Sequence, residues 1–226
     1  WGNLARKMAH EIKNPLTPIQ LTIDRLKNKY SIQLEKTDKE NFEENLKIIN
    51  NQIKQIEKLV NEFSDFARMP KPIFHNNDLV VLINDNIKLL SALDNSIIID
   101  FKKNTEKMIF NSDKEQLSGV FFNLIKNSIE SIQQKSEKDA NFKRNIGIEL
   151  NDNDHHISLI INDTGIGFKT LNTNIKDILN PYFTTKTNGT GLGLSIVNKI
   201  LNDHNSSIEF ISKDDGAEIK IVFLKK

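Results

Sequence analysis

The chain has 226 residues, of which 38% are hydrophobic and 27% charged, and it carries a formal net charge of +1. That length holds one large domain or two small ones of ordinary soluble composition, and the near-neutral balance argues against a nucleic-acid groove, which needs a dense positive field. Cysteine is absent, which removes disulfides, thiolate nucleophiles and thiolate metal ligands and suits a reducing compartment.

From Gly2 to about Leu34 the pattern is helical. Ile12, Leu16, Ile19, Ile23, Leu26 and Tyr30 alternate four and three apart, the spacing of a coiled-coil seam. With Ile12 at a d position, His10, Glu11 and Asn14 fall at b, c and f and face outward, Asn14 one turn above His10. Pro15 and Pro18 lie inside this pattern. Each removes a backbone donor and crowds the carbonyl four residues earlier, so the spacing predicts a helix bent just beyond His10. Residues 35–39 read as a short connection. A second helix is expected over 38–67, where Phe42, Leu46, Ile49, Ile53, Ile56, Val60 and Phe63 keep the same alternation. The pair predicts an antiparallel hairpin. Two helices cannot enclose a core, so the economical arrangement is a homodimeric four-helix bundle.

Met69-Pro70-Lys71-Pro72 reads as a stiff linker, which sets the domains at 1–69 and 73–226 with residues 70–72 between them. Beyond it the rhythm turns to mixed strand and helix. Asn77 to Ala92 predicts a helix capped by Asn77 or Asp78, and 97–101 and 108–110 predict short strands. A helix over 113–134 carries Leu117, Val120, Phe121, Leu124, Ile125, Ile129 and Ile132 on one face. Gly119 in its middle costs up to about 1 kcal/mol relative to Ala and has no functional reading. Strands are expected over 146–150, 157–161, 207–212 and 217–224, an irregular stretch over 162–189, and a helix over 191–203. Strands against about three helices make a two-layer α/β sandwich, so the whole chain reads as α+β.

Four clusters in this second domain are hard to explain as packing. Asn123 and Asn127 stand one turn apart, and an amide oxygen there can ligate Mg²⁺ as a hard donor; the ordinary alternative is a polar helix face. Asp163-Thr-Gly-Ile-Gly167 follows a buried strand. A carboxylate there can accept from an exocyclic amine while the glycines let the backbone pass close to a ring, though such a run by itself is often a tight turn. Gly189-Thr-Gly-Leu-Gly-Leu-Ser195 opens a helix and suits phosphates, without the Gly-Lys-Ser/Thr of a Walker loop. Asn180-Pro-Tyr-Phe-Thr-Thr-Lys186 stands between the glycine clusters and carries a cation, as a lid would. By contrast His75, His155, His156 and His204 show no ligand spacing, and adjacent histidines point to opposite faces of a strand.

The run His10-Glu-Ile-Lys-Asn-Pro-Leu-Thr-Pro18 resembles the phosphoacceptor box of sensor histidine kinases. With the leading Met8-Ala and the following Ile19-Gln-Leu it is most similar to the nitrogen-regulation, NtrY-type branch. The four clusters, in this order, resemble the N, G1, F and G2 boxes of the GHKL ATPase fold shared by histidine kinases, Hsp90, type II topoisomerases and MutL. The resemblance implies a dimerisation and phosphotransfer hairpin followed by an ATP-binding domain, with ATP and Mg²⁺ as cofactors. Asn127 would ligate Mg²⁺. Asp163 would read adenine in a pocket shaped by Gly165 and Gly167. Thr190, Gly191, Leu192 and Gly193 would hold phosphates, and Phe183 and Lys186 would belong to the lid. Asn123 stands where the ATP-hydrolysing relatives carry a catalytic Glu, and an amide cannot take a proton from water, so ATP should be held without rapid hydrolysis. Glu130 and Ser131 stand where many relatives carry a basic residue and a Tyr, which leaves the phosphate contact to Lys126 or Lys186.

The implied activity is autophosphorylation of His10, with Glu11 as base or orienter, the second domain swinging about Pro70 to Pro72. The phosphoryl group would pass to an aspartate on the receiver domain of a response regulator of the NtrX kind, and Asn14 implies a phosphatase role beside it. The alternatives are a plain ATPase and a non-catalytic dimerisation scaffold. No apolar run nears the roughly 18 to 20 residues that cross a bilayer, and no signal peptide is visible. Because the chain opens on Trp1 and enters a helix at once, it reads as an excised fragment, the cytoplasmic portion of a membrane-anchored bacterial protein whose membrane segments lie upstream.

Overall fold

The structure, a computed structural model, describes residues 2–139, 141–168, 175–179 and 191–225, with side chains from Lys7 onward except at 175 and 176. These residues form two compact units, one of the residues up to Pro70 together with 191–192, and an α/β one built of 71–168, 175–179 and 193–225. No helix among the described residues is long and apolar enough to cross a membrane.

The helical unit is a hairpin of α1 (Gly2–Tyr30) and α2 (Lys36–Ala67). Helix α1 runs unbroken through Pro15 and Pro18 and ends four residues before the expected Leu34. Its partner starts two residues earlier than expected, after Glu35 in extended backbone. The two seams behave alike. Leu16 and Ile23 meet Leu46 and Ile53, with Phe42 packed against them, and Ala9 and Val60 are buried as well. The alternate positions Ile12, Ile19 and Leu26 of α1 and Ile49 and Ile56 of α2 stay 38–44% exposed. A four-three repeat presents two apolar positions per heptad, and one facing helix covers only one of them.

The α/β unit is built on a five-stranded sheet of order β2-β4-β5-β7-β6 and a two-stranded ribbon β1-β3. In the sheet, β2 (Ile98–Lys103) runs parallel to β4 (Asn145–Asp152), while β5 (His156–Asp163), β7 (Ala217–Leu224) and β6 (Ser206–Ser212) join antiparallel. Alternation decides the faces. Ile146, Ile148, Leu150, Ile157, Leu159, Ile161, Ile219, Ile221 and Phe223 point to one side and are buried. Helices α3 (Leu79–Ser91), α4 (Lys114–Ser136) and α5 (Gly193–Asp203) pack there. The result is the expected two-layer sandwich.

One expected element is corrected. The helix predicted from Asn77 begins at Leu79, because His75–Asp78 is a strand (β1) paired with Ile109–Ser112 (β3). Asn77 serves this ribbon, its amide donating to the Ser112 carbonyl at 2.7 Å. Asp78 is the cap, its Oδ1 accepting from the Val80 N–H at 3.0 Å and from the Met108 N–H at 3.1 Å. A short 3₁₀ turn, Ile175–Leu179, lies inside the stretch expected to be irregular.

At the far ends of α4 and α5 a clasp forms. His204, 2% exposed, accepts the Asp113 N–H on Nε2 at 3.0 Å, which fixes the proton on Nδ1, 2.7 Å from the Ile200 carbonyl. Asp113 caps α4 through the Gln116 N–H at 3.0 Å and takes the Ile73 N–H at 2.8 Å. Burial opposes its charge, yet the N–H groups of Gln116, Ile73 and Glu115 outweigh burial and hold its carboxyl below the ordinary range.

Candidate functional site

On α1, His10, Glu11 and Asn14 are all exposed, while Ala9 and Leu16 beside them are buried. The same periodicity that hides the seam therefore presents an imidazole, a carboxylate and an amide to solvent. Asn14 lies one turn from His10 on the same helical face, so the imidazole and the amide can act on one bound group.

In the α/β unit the candidate residues converge from three elements. Helix α4 turns its apolar stripe, Leu117, Val120, Phe121, Leu124, Ile125, Ile129 and Ile132, into the core, which leaves Asn123 and Asn127 half-buried at the margin of that stripe. Helix α5 begins at Gly193. A Cβ built there would stand 3.0 Å from Asn123 Oδ1, so the backbone opening α5 and the first amide of α4 are neighbours. Just before that start Gly191 takes φ 70°, a left-handed backbone that favours glycine, and Leu192 is buried.

Asp163 ends β5 and is 6% exposed. Its Oδ1 accepts the Gly165 N–H at 2.9 Å. Burial pushes its carboxyl above the ordinary range, against the Gly165 N–H, the Ser128 hydroxyl, the Ala217 N–H and the Lys135 ammonium, which favour the charge. A carboxylate kept this dry and bonded on one oxygen can accept a further donor, such as an exocyclic amine. The turn that follows is pressed against α4. A Cβ on Gly165 would lie 2.7 Å from both the carbonyl carbon and the Cβ of Ser131, and Ser131 Oγ accepts the Ile166 N–H at 3.1 Å. Gly167 takes φ 66°, where an L side chain is strained, with the Gly216 carbonyl in the space a Cβ would need.

Asp163, Gly165, Gly167, Asn123 and Gly193 thus fall within the α/β unit, and Asn127 follows Asn123 by one turn. Lys126 lies 3.8 Å from Glu130 and over the Phe122 ring. Phe183, Lys186, Thr190, Gly189 and the rest of 180–190 lie outside the described residues. Sequence reasoning overlooked three supports. Ser131, read as a missing Tyr, holds the Ile166 N–H. Ser128, 2% exposed, sits among the apolar residues of α4. Lys135 donates to the Thr164 carbonyl at 2.9 Å, pairs with Asp215, and lies 4.5 Å over the Phe142 ring. The signal for Ser128 was a hydroxyl interrupting an apolar stripe; for the others the partners are far off in sequence.

Comparison with known proteins gives two family matches. Residues 1–72 match the His Kinase A (phospho-acceptor) domain, and residues 112–226 match the histidine kinase-, DNA gyrase B- and HSP90-like ATPase family. A Rickettsia felis protein named as NtrY-like sensor histidine kinase is 36% identical over all of this chain and 36% of its own length. The nitrogen regulation protein NtrY of Azorhizobium caulinodans is 36% identical over 96% of this chain and 27% of its own. The chain therefore spans about a third of the length of the curated relatives it matches. In fold, histidine kinase ThkA, solved in complex with response regulator protein TrrA, superposes over 100% of this chain and 62% of its own with a TM-score of 0.66 at 24% identity. With an ATPase match over the half that holds Asp163, Asn123 and Asn127, and a phospho-acceptor match over the first 72 residues, which expose His10, the chain belongs to the histidine kinase-, DNA gyrase B- and HSP90-like ATPase family, in its histidine kinase branch.

Proposed function

We propose that this chain is the catalytic core of a protein histidine kinase, with a dimerisation and phosphotransfer domain over 1–69, a linker over 70–72 and an ATP-binding domain over 73–226. The observation that carries this reading is the amide of Asn123 beside the start of α5. A carboxylate there could accept a proton from water, whereas an amide cannot. The γ-phosphoryl group of ATP is then spared for a better nucleophile, and His10 supplies it.

The residues fit ATP and Mg²⁺. Asp163 offers a buried acceptor for the base amine, and the residues from Gly191 to Gly193 would present backbone donors to phosphates. Asn127 would hold Mg²⁺ through its amide oxygen, and the ion supplies charge neutralisation when bound. A ring nitrogen of His10 attacks the γ-phosphorus with its lone pair as the bond to the bridging oxygen breaks and ADP departs. The Glu11 carboxylate holds the other ring N–H and so keeps the attacking nitrogen unprotonated. The phosphoryl group then moves to an aspartate oxygen on a response regulator, leaving His10 free, and Asn14, one turn on, orients water for the separate phosphatase reaction, in which that aspartyl phosphate is hydrolysed to free carboxylate and inorganic phosphate.

Exposed Ile12, Ile19 and Leu26 with Ile49 and Ile56 support a homodimer, since a second hairpin would cover the uncovered half of each seam. The NtrY names of the relatives support a response regulator of the NtrX kind, and a chain that forms the cytoplasmic portion of a membrane-anchored bacterial sensor. The test is incubation with γ-labelled ATP and Mg²⁺ of the wild type, His10→Ala and Asn127→Ala. Acid-labile, alkali-stable label on the wild type alone is expected. Phosphate release that survives loss of His10 would instead favour an ATPase.

A further inference from the structure

Lys135 stands in the last turn of α4, and its ammonium meets three other segments of the chain. It donates to the Thr164 carbonyl at 2.9 Å, pairs with Asp215 in the turn between β6 and β7, and lies 4.5 Å over the Phe142 ring in the connection from α4 to β4. Ion pairs near a surface contribute little. The bond to Thr164 matters more, because of what shares its peptide group. The Thr164 carbonyl and the Gly165 N–H are the two ends of one planar unit and point in opposite directions. That Gly165 N–H donates to Asp163 Oδ1 at 2.9 Å. A cation therefore grips the oxygen end of this peptide and a carboxylate its hydrogen end, in the sense of the peptide's own dipole.

We infer that Lys135 is a positioning residue for base recognition: by fixing the peptide that joins Thr164 to Gly165, it fixes the direction in which the Asp163 carboxylate meets the 6-amino group of adenine. Glycine leaves such a peptide easy to turn, since it accepts backbone angles closed to other residues, and a turned peptide would take its N–H away from Asp163. The remainder of Thr164 is already held. Its N–H donates to the Asn145 carbonyl at 3.2 Å and its hydroxyl to the Lys143 carbonyl at 2.7 Å, so the carbonyl gripped by Lys135 is the end that decides the orientation. The ammonium also lies near enough to Asp163 to favour the charged carboxylate against burial. Lys135 acts through the peptide and not on the ligand. The inference rests on the reading that Asp163 accepts from the adenine amine.

The test uses the whole chain and two ligands, ATP and the purine ribonucleoside triphosphate that lacks the 6-amino group, titrated calorimetrically. The wild type is expected to prefer ATP. Lys135→Met keeps the apolar stem over Phe142 and removes the ammonium; it should weaken ATP by about five- to tenfold and leave the analogue unchanged. Lys135→Arg, which can still donate to the carbonyl, should recover most of that loss. Asp215→Asn removes the ion pair but not the bond to Thr164, and should bind ATP within about twofold of the wild type. Equal losses of both ligands in Lys135→Met would reduce Lys135 to a structural prop, an unchanged ATP affinity would remove it from recognition, and an equal loss in Asp215→Asn would assign the effect to the ion pair. Each of these overturns the inference and leaves the Asp163 reading standing. A wild type that binds both ligands alike would overturn that reading and this inference with it. Urea midpoints separate misfolding from lost affinity, and Lys135→Gln, which keeps a neutral donor on the stem, repeats the comparison should Lys135→Met fail to fold.

Discussion

Replacing Gly165 with Ala tests how the turn after β5 is held. The added Cβ would lie 2.7 Å from two carbons of Ser131, its carbonyl carbon and its Cβ, with Ser131 Oγ closer still. Carbon atoms pack at about 3.5 to 4.0 Å, so the turn must lift from α4 by about 1 Å. That lift stretches the 3.1 Å bond from the Ile166 N–H to Ser131 Oγ beyond hydrogen-bonding range. Overpacking of this kind costs about 1 to 3 kcal/mol, and the lost bond about another 1 kcal/mol. We expect a total near 2 to 4 kcal/mol in urea denaturation followed by circular dichroism, together with a sharp loss of ATP affinity. Ser131→Ala should relieve only part of this. It removes Oγ but leaves both carbons, one of which is helix backbone that no side-chain change can remove. The double variant should therefore show a coupling of about 1 kcal/mol towards relief. A Gly165→Ala protein within about 0.5 kcal/mol of the wild type, or strict additivity with Ser131→Ala, would refute the close approach of turn and helix.

Other substitutions separate stability from function. Gly119 has nothing within 4 Å of the position a Cβ would take, so Gly119→Ala should raise stability by up to about 1 kcal/mol with ATP binding unchanged, measured by urea midpoint and calorimetry. Asp163→Asn should abolish discrimination for the adenine amine yet stabilise the empty protein at neutral pH. Its sign follows from burial, which raises the folded carboxyl above its unfolded value: stability is full below the unfolded value of about 3.9, falls as pH rises through the folded one, and stays reduced above it. Thermal scans should show the variant ahead at pH 7 and the gap closing towards pH 4; a variant that melts below the wild type at pH 7 would contradict this. Ile19→Lys, on the uncovered seam, should abolish the proposed dimer in sedimentation velocity, the wild type sedimenting as a dimer and the variant as a monomer, while leaving ATP affinity intact.

Residues that act through a period were legible in the sequence. The four-three alternation located both helices of the hairpin, and short apolar runs located β4, β5 and β7. What the period could not say was which half of each seam the hairpin itself would cover, since Leu16 and Ile12 are chemically equivalent and differ only in which neighbour reaches them. The strand at 75–78 was hidden by its composition, His-Asn-Asn-Asp, which has poor strand propensity; its pairing with β3 and the amide of Asn77 across the ribbon override that preference. Asp163, Gly165 and Gly167 could be picked out because their residue types are costly where packing alone is at issue. Ser131, Lys135 and His204 could not, because each is an ordinary residue whose meaning lies in a partner 29 to 91 positions away.

That distinction has a consequence for how the nucleotide half works. Asp163 is buried with its carboxyl held above the ordinary range, a cost that a donor on the proposed adenine would relieve, while Gly165 and Gly167 hold a turn that side chains strain. Local stability has been given up where a ligand restores it. A ligand that binds only the folded state adds about 2.7 kcal/mol at a hundred times its dissociation constant, and part of that gain here is the satisfaction of Asp163 itself. The hairpin is arranged in the opposite sense: His10, Glu11 and Asn14 are exposed and make no demand on its core, which depends on Leu16, Ile23, Leu46 and Ile53. Stability of the α/β unit should therefore follow nucleotide occupancy closely, whereas stability of the hairpin should follow association of its uncovered seam.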